Sequence, residues 1–306
     1  MDKTGRLGNP ELGQDAGLFG DDDNDGEEFP VAAPASAWSE AENRASALIR
    51  RLTGKTLSDH LLAALSARPG VQMLALGAGA GGVAVELLPH APDAGLACID
   101  SNAEWLQPGR QRARELAVDA RFAAVDLDTI ELEPRAFDLI CCHAALYRVI
   151  ELERMADQIQ RALRPGGSFV VVDVVTRNGH AMWGETREVV QAIWKTLPAK
   201  FRLNHTAYTV PLIDDVIWEP DPLPSGVKTA RPEDILPVIE RRFSTEHFIP
   251  YYSLCRRFFD SMYGPNYDMA APLDRAIFNW IWQLDRHYIE AKRLRPETFF
   301  AIYRTR

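Results

Sequence analysis

Met73-Leu74-Ala75-Leu76-Gly77-Ala78-Gly79-Ala80-Gly81-Gly82-Val83 runs an apolar strand pattern into a cluster of glycines and then into a helical pattern. Without Cβ atoms, Gly77 and Gly79 let the backbone turn sharply and let a ligand approach it closely, while the start of the next helix supplies oriented N–H donors. A nucleotide-like ligand is implied. From Val71 onward, short β-rich runs alternate with segments of helical period. Strands are predicted near 71–76, 95–99, 120–125, 137–142 and 168–175, and helices near 81–88, 103–117 and 151–163. That alternation predicts an α/β fold with a parallel, doubly wound sheet.

The glycines satisfy two fingerprints at once. Positions 77, 79 and 82 spell the GxGxxG of dinucleotide enzymes, and 77, 79 and 81 spell the GxGxG of methyltransferases. Either class needs an acid at the end of the next strand to accept hydrogen bonds from ribose hydroxyls, and Asp100, followed by Ser101, stands there. A helix-capping role for Asp100 or Ser101 is the simpler alternative. The two classes separate further along: the third strand leads into Val125-Asp126-Leu127, the fourth is Phe137-Asp138-Leu139-Ile140-Cys141-Cys142-His143, and Leu163-Arg164-Pro165-Gly166-Gly167-Ser168 opens a β-branched fifth strand.

That ordered series resembles the class I S-adenosylmethionine-dependent methyltransferase core, whose fifth strand commonly follows an L-[KR]-P-G-G turn. The resemblance implies a Rossmann-like seven-stranded, mostly parallel sheet with an antiparallel last strand, and S-adenosylmethionine as cofactor. It implies that Gly77, Ala78, Gly79 and Gly81 lie along the cofactor, that Asp100 with Ser101 meets its ribose, that Asp126 and Leu127 meet adenine, and that His143 faces both cofactor and acceptor. The family's acid two residues before the first glycine is Ala75 here. That acid helps hold the glycine turn and the cofactor's amino group. A weaker similarity to one bacterial branch covers Trp183 to Arg202 and Glu233 to Pro237.

Methyl transfer from a sulfonium is an in-line displacement in which alignment and exclusion of water dominate, and it needs no metal. A base matters only where the acceptor must lose a proton. His143 is the candidate for base or acceptor positioning, because the carboxyl end of a central strand is where ligands meet in open α/β folds. Tyr147 and Trp183 are candidates for the acceptor wall. His180, His205 and His247 lack metal-ligand spacing, and Arg256 and Arg257, which could meet an anionic acceptor, read more simply as solvated surface arginines. The expected reaction is transfer to an oxygen or nitrogen of a small molecule or glycan. A nicotinamide-dependent oxidoreductase and a non-catalytic scaffold of the same fold are the alternatives.

The flanks differ in character. Residues 1–36 hold nine acids against Lys3 and Arg6 and show no sustained apolar period, so a disordered acidic tail is expected. Residues 37–69 are expected to form a helical cap, entered through a capping box at Ser39 and Glu42. The cofactor core is assigned to 70–176, an inserted helical substrate lobe to 177–242, and strands near 243–249 and 297–304 complete the sheet within 243–306. Further helices are expected near 184–197, 232–240 and 271–292. Of the formal charge of -9, only -2 falls outside residues 1–28, which disfavours nucleic acid as a partner. Cys98, Cys141, Cys142 and Cys255 show no CxxC spacing and read as buried thiols. No run reaches the ~18 apolar residues of a membrane span, and a cytoplasmic setting is expected.

Overall fold

The computed structural model describes residues 36–177, 181–206, 210–220 and 230–306; most of the expected acidic tail and His180 lie outside them. Its centre is the expected sheet. Strands β1 (Gln72–Leu76), β2 (Gly95–Asp100), β3 (Ala120–Ala124), β4 (Phe137–His143) and β5 (Leu163–Val174) join β8 (Phe243–Tyr251) and β9 (Thr298–Thr305) in the order β3-β2-β1-β4-β5-β9-β8. All pairs among β1 to β5 are parallel, and β9 runs antiparallel to both β5 and β8.

Alternation along the strands sorts side chains onto two faces. Met73, Ala75, Cys98, Cys141, Val170 and Phe300 join one core, and Leu74, Leu76, Ile140, Cys142, Val171 and Phe299 join the other. The first core is covered by α1 (Ala37–Thr53), α2 (Leu57–Leu65), α3 (Ala78–Leu87) and α4 (Gln107–Glu115), and is joined by α6 (Gly184–Trp194), α8 (Cys255–Phe259) and α9 (Pro272–Glu290). The second is covered by α5 (Leu152–Ala162) and α7 (Ile235–Glu240).

Local signals account for most of the boundaries. Helix α2 carries the reciprocal capping box of Thr56 and Asp59. Helix α1 begins earlier than expected: Ser36, not Ser39, is its cap and accepts the Ser39 amide at 3.0 Å, so Ser39 and Glu42 lie inside the helix. The Arg164 to Gly167 turn interrupts the pairing of β4 and β5 between Phe137 and Leu139, with Gly166 at φ +79°. There Asp138 ties three pieces together, accepting the Gln72 amide at 2.8 Å and a 2.6 Å ion pair from Arg164, with Arg68 as its third partner. The segment after β5 forms α6 and a small hairpin, β6 (Leu203–Asn204) with β7 (Leu212–Ile213). It docks through Trp194, fully buried against Phe258 and Tyr263.

Candidate active site

The glycine turn sits between the carboxyl ends of β1, β2 and β4. Gly77 has φ +89° and donates its N–H to the Ile99 carbonyl at 2.8 Å. A Cβ at Gly77 would lie 2.5 Å from the His143 carbonyl oxygen, one at Gly79 3.0 Å from His143 Nδ1, and one at Gly81 3.1 Å from Cys98 Sγ. Much of the demand for glycine is therefore set by the protein's own β4 and β2. The ten-residue α3 has no side-chain cap from Gly77; the Ala78 amide is taken by Asp100, and the Gly79 amide that follows is open to an acceptor.

Asp100 is fully buried where β2 ends. Its carboxylate accepts the Ala78 amide at 2.9 Å, which welds the glycine turn to β2, and the Asn102 amide at 2.9 Å. Its third partner is Arg148, whose Nη2 lies 3.3 Å away and also donates to the Ala144 carbonyl at 3.2 Å. The Arg148 guanidinium lies 4.6 Å from the Trp105 ring centroid and 5.5 Å from that of Tyr147. Arg148 and Trp105 were not among the residues expected from sequence.

His143 is 2% exposed, and burial pushes its imidazole down to about 3. The ring is neutral through the physiological range, packed over Gly79. The turn that follows is held by the buried Asp173 of β5, which accepts the amides of Ala145 at 3.2 Å, Leu146 at 2.8 Å and Tyr147 at 3.3 Å. Burial raises the Asp173 carboxyl while these donors pull it the other way. This clamp stabilises Ala144 at φ +49° and fixes where Tyr147 and Arg148 leave the sheet.

The structure thus brings Gly77, Ala78, Gly79, Asp100 and His143 together. Gly81 faces Cys98 in the first core. Ser101 is exposed beside Asp100. Asp126 is exposed and forms its own turn with the Asp128 amide at 2.9 Å, while Leu127 is buried in the same core as Leu76 and Tyr147. Trp183 opens α6 with Arg295 stacked 3.8 Å from its ring centroid. His205 bonds Asn266 at 2.8 Å, and His247 lies across from His60. Among the described residues no group of three His, Cys, Asp or Glu converges as a metal site.

One expectation is overturned. Arg256 and Arg257 are 6% and 7% exposed, not solvated, and Arg257 meets the fully buried Glu297 at 2.7 Å. Two arginines set within Leu254-Cys255 and Phe258-Phe259 were a signal of burial, but their partner stands 40 residues away in sequence. Glu297 accepts the Val175 amide through its backbone carbonyl, so this pair lies at the carboxyl end of β5, on the same side of the sheet as His143. Ala75 is fully buried between Cys98 and Cys141; a carboxylate there would face an apolar core.

These features can be tested against S-adenosylmethionine. The open start of α3 at Gly79 lies beside a buried carboxylate, and two of that carboxylate's three donors are the fixed amides of Ala78 and Asn102 while the third is a side chain able to move. The residues fit a ligand with a polar chain along the turn and a hydroxyl pair at Asp100, provided that Arg148 yields its place.

Comparison with known proteins identifies the family of the chain. Residues 67–219 match the family model described as a methyltransferase domain. An uncharacterized protein of Mycobacterium tuberculosis is 26% identical over 233 residues, covering 75% of this chain and 77% of its own length. The ubiquinone/menaquinone biosynthesis C-methyltransferase of Dinoroseobacter shibae is 28% identical over 117 residues, which cover 38% of this chain and 47% of that protein. Among solved structures, geranyl diphosphate C-methyltransferase from Streptomyces coelicolor, in complex with Mg2+, geranyl diphosphate and S-adenosyl-L-homocysteine, aligns over 92% of this chain and 85% of its own with TM-score 0.49 and 13% identity. With the family match covering half of the sequence and the ordered motifs on the expected strands, the chain belongs to the methyltransferase-domain family and is a class I, Rossmann-like S-adenosylmethionine-dependent methyltransferase.

Proposed function

We propose that this enzyme methylates a small organic molecule held between the carboxyl end of the sheet and the lobe, at an atom that is already nucleophilic. The observation that carries this reading is the neutral His143, buried over the glycine turn and held near a pKa of about 3. A base that weak removes few protons at neutral pH. His143 therefore acts as a wall and a hydrogen-bonding group that positions the acceptor. S-adenosylmethionine supplies an electrophilic methyl group when bound.

The chain's own residues do the rest. The start of α3 and Gly77 to Gly79 bind the cofactor's polar end, Asp100 takes the ribose hydroxyls once Arg148 has moved, and Leu127 and Trp105 flank the base. Ser101 and Asp126 stand at the rim, where their exposed side chains can close over the adenosyl group. Tyr147 and Trp183 wall the acceptor space and exclude water. An amine, a low-pKa hydroxyl or an electron-rich carbon all meet the requirement for an acceptor needing no strong base. The local similarity to a C-methyltransferase supports including carbon beside oxygen and nitrogen. A small acceptor is favoured over a glycan because the expected acceptor wall at Tyr147 is buried, with Trp183 half-buried.

Calorimetric titration with S-adenosylmethionine, S-adenosylhomocysteine, NAD and NADP tests the cofactor site, and methyl-labelled cofactor with pooled amines, phenols and isoprenoids tests the acceptor. Saturable binding of the sulfur pair and label transfer without a strong alkaline pH dependence are expected. With an acceptor whose own ionisation lies outside the range, transfer that rises tenfold per pH unit through neutrality would require a base and overturn the role given to His143.

A further inference from the structure

A second cleft lies at the opposite end of the sheet from the glycine turn. It has a volume of about 560 Å³ and is bounded by α2, the amino ends of β4 and β5, and the edge formed by β8 and β9. Its floor is apolar, with Ala64, Val71, Leu139, Val170 and Ile302. Its rim carries Lys55, His60, Arg68, His247 and Arg304 against the carboxylates of Asp138 and Glu246. Both carboxylates are engaged, Asp138 by Arg68 and Arg164, and Glu246 by Arg304 at 2.5 Å.

The side chains that face one another across this rim are mutually repulsive as cations. The His60 and His247 rings are 5.8 Å apart, and His60 Nε2 meets Thr53 Oγ1 at 2.8 Å. The register of β8 against β9 shifts between Thr245 and His247, and an irregularity of this kind re-aims side chains out of the ordinary alternation. It brings Glu246 and His247 both onto the cleft. Burial, then His247, then Lys55 push the His60 imidazole down, against Glu246 and Asp59. Asp59 is itself committed to the capping box of α2.

We propose that this cleft is a second ligand site, for a small molecule with an apolar body and an oxyanion head. The head sits between His60, His247 and Lys55, and the body lies on the floor beneath α2. The site is independent of the cofactor reading, because it shares no residue with the glycine turn, Asp100 or His143. Binding couples to protonation at His60: an anion beside its ring favours the charged form that burial, His247 and Lys55 disfavour, so affinity rises as pH falls.

The test uses the full chain and benzenesulfonate, whose charge is constant across that range, with benzyl alcohol as the uncharged counterpart. Ring resonances of His60 and His247 should shift saturably with benzenesulfonate only, and calorimetry should show about fivefold tighter binding at pH 6.0 than at 7.5. The double variant His60→Gln, His247→Gln should lose the binding and its pH dependence while retaining S-adenosylhomocysteine affinity. Equal binding of benzyl alcohol, no saturable shift of either ring, or unchanged benzenesulfonate affinity in the double variant would overturn the proposal.

Discussion

Replacing Arg148 by Met should tighten cofactor binding, an unusual direction for removing a charged group from a binding site. Among the described residues Arg148 is the only side-chain donor on Asp100, and it is 17% exposed, whereas Asp100 is fully buried. A ribose hydroxyl pair at Asp100 must displace that contact and the stack on Trp105. At 3.3 Å the ion pair is long for a charge-assisted hydrogen bond, so it falls toward the lower end of the ~1.5–3 kcal/mol such bonds contribute. The stack adds about 0.5–1 kcal/mol, and the freedom regained by the arginine offsets part of the sum. The remainder, about 1.4 kcal/mol, corresponds to roughly tenfold tighter binding of S-adenosylhomocysteine. Isothermal calorimetry on wild type, Arg148→Met and Asp100→Ala, with thermal melts as a folding control, measures it. Asp100→Ala should weaken binding strongly. Equal or weaker binding by a folded Arg148→Met, beside a wild type that does bind, would show that Arg148 supports the cofactor and would refute the displacement.

Gly77→Ala combines a left-handed φ of +89° with a Cβ 2.5 Å from a backbone oxygen, so it should cost about 2 kcal/mol or more and abolish cofactor binding, read by thermal melt and calorimetry. His143, with a folded pKa of about 3 against 6.5 unfolded, holds fewer protons folded than unfolded between those values. Its contribution is present above pH 6.5 and lost as pH falls, about 2 kcal/mol by pH 5; urea melts of His143→Gln should show a correspondingly flatter loss from pH 6.5 to 5. Arg257→Met alone leaves Glu297 charged and buried and should cost about 3–5 kcal/mol, whereas Arg257→Met with Glu297→Leu should recover most of it; denaturant midpoints separate the two outcomes.

What the sequence made legible was local. The change of period at Val71, the glycine turn and the Pro165-Gly166-Gly167 turn each act through neighbouring residues, and the strands formed where those signals put them. The misplaced cap shows the limit of even local reading: Ser36 and Ser39 both satisfy the cap chemistry, and Ala37 and Ala41 packing into the core selects the earlier start. The remainder depends on partners distant in sequence. Arg257 is buried because Glu297 waits at the entry to β9, Arg148 is held half-buried because Asp100 ends β2, and His143 is neutral because Gly79 lets its ring settle against the turn. The glycines themselves are ambiguous for the same reason. A missing Cβ signals close approach but not what approaches, and here His143 makes that approach before any ligand does. A glycine fingerprint therefore specifies the backbone of a nucleotide site, while the identity and protonation of the groups that share it are set by tertiary packing.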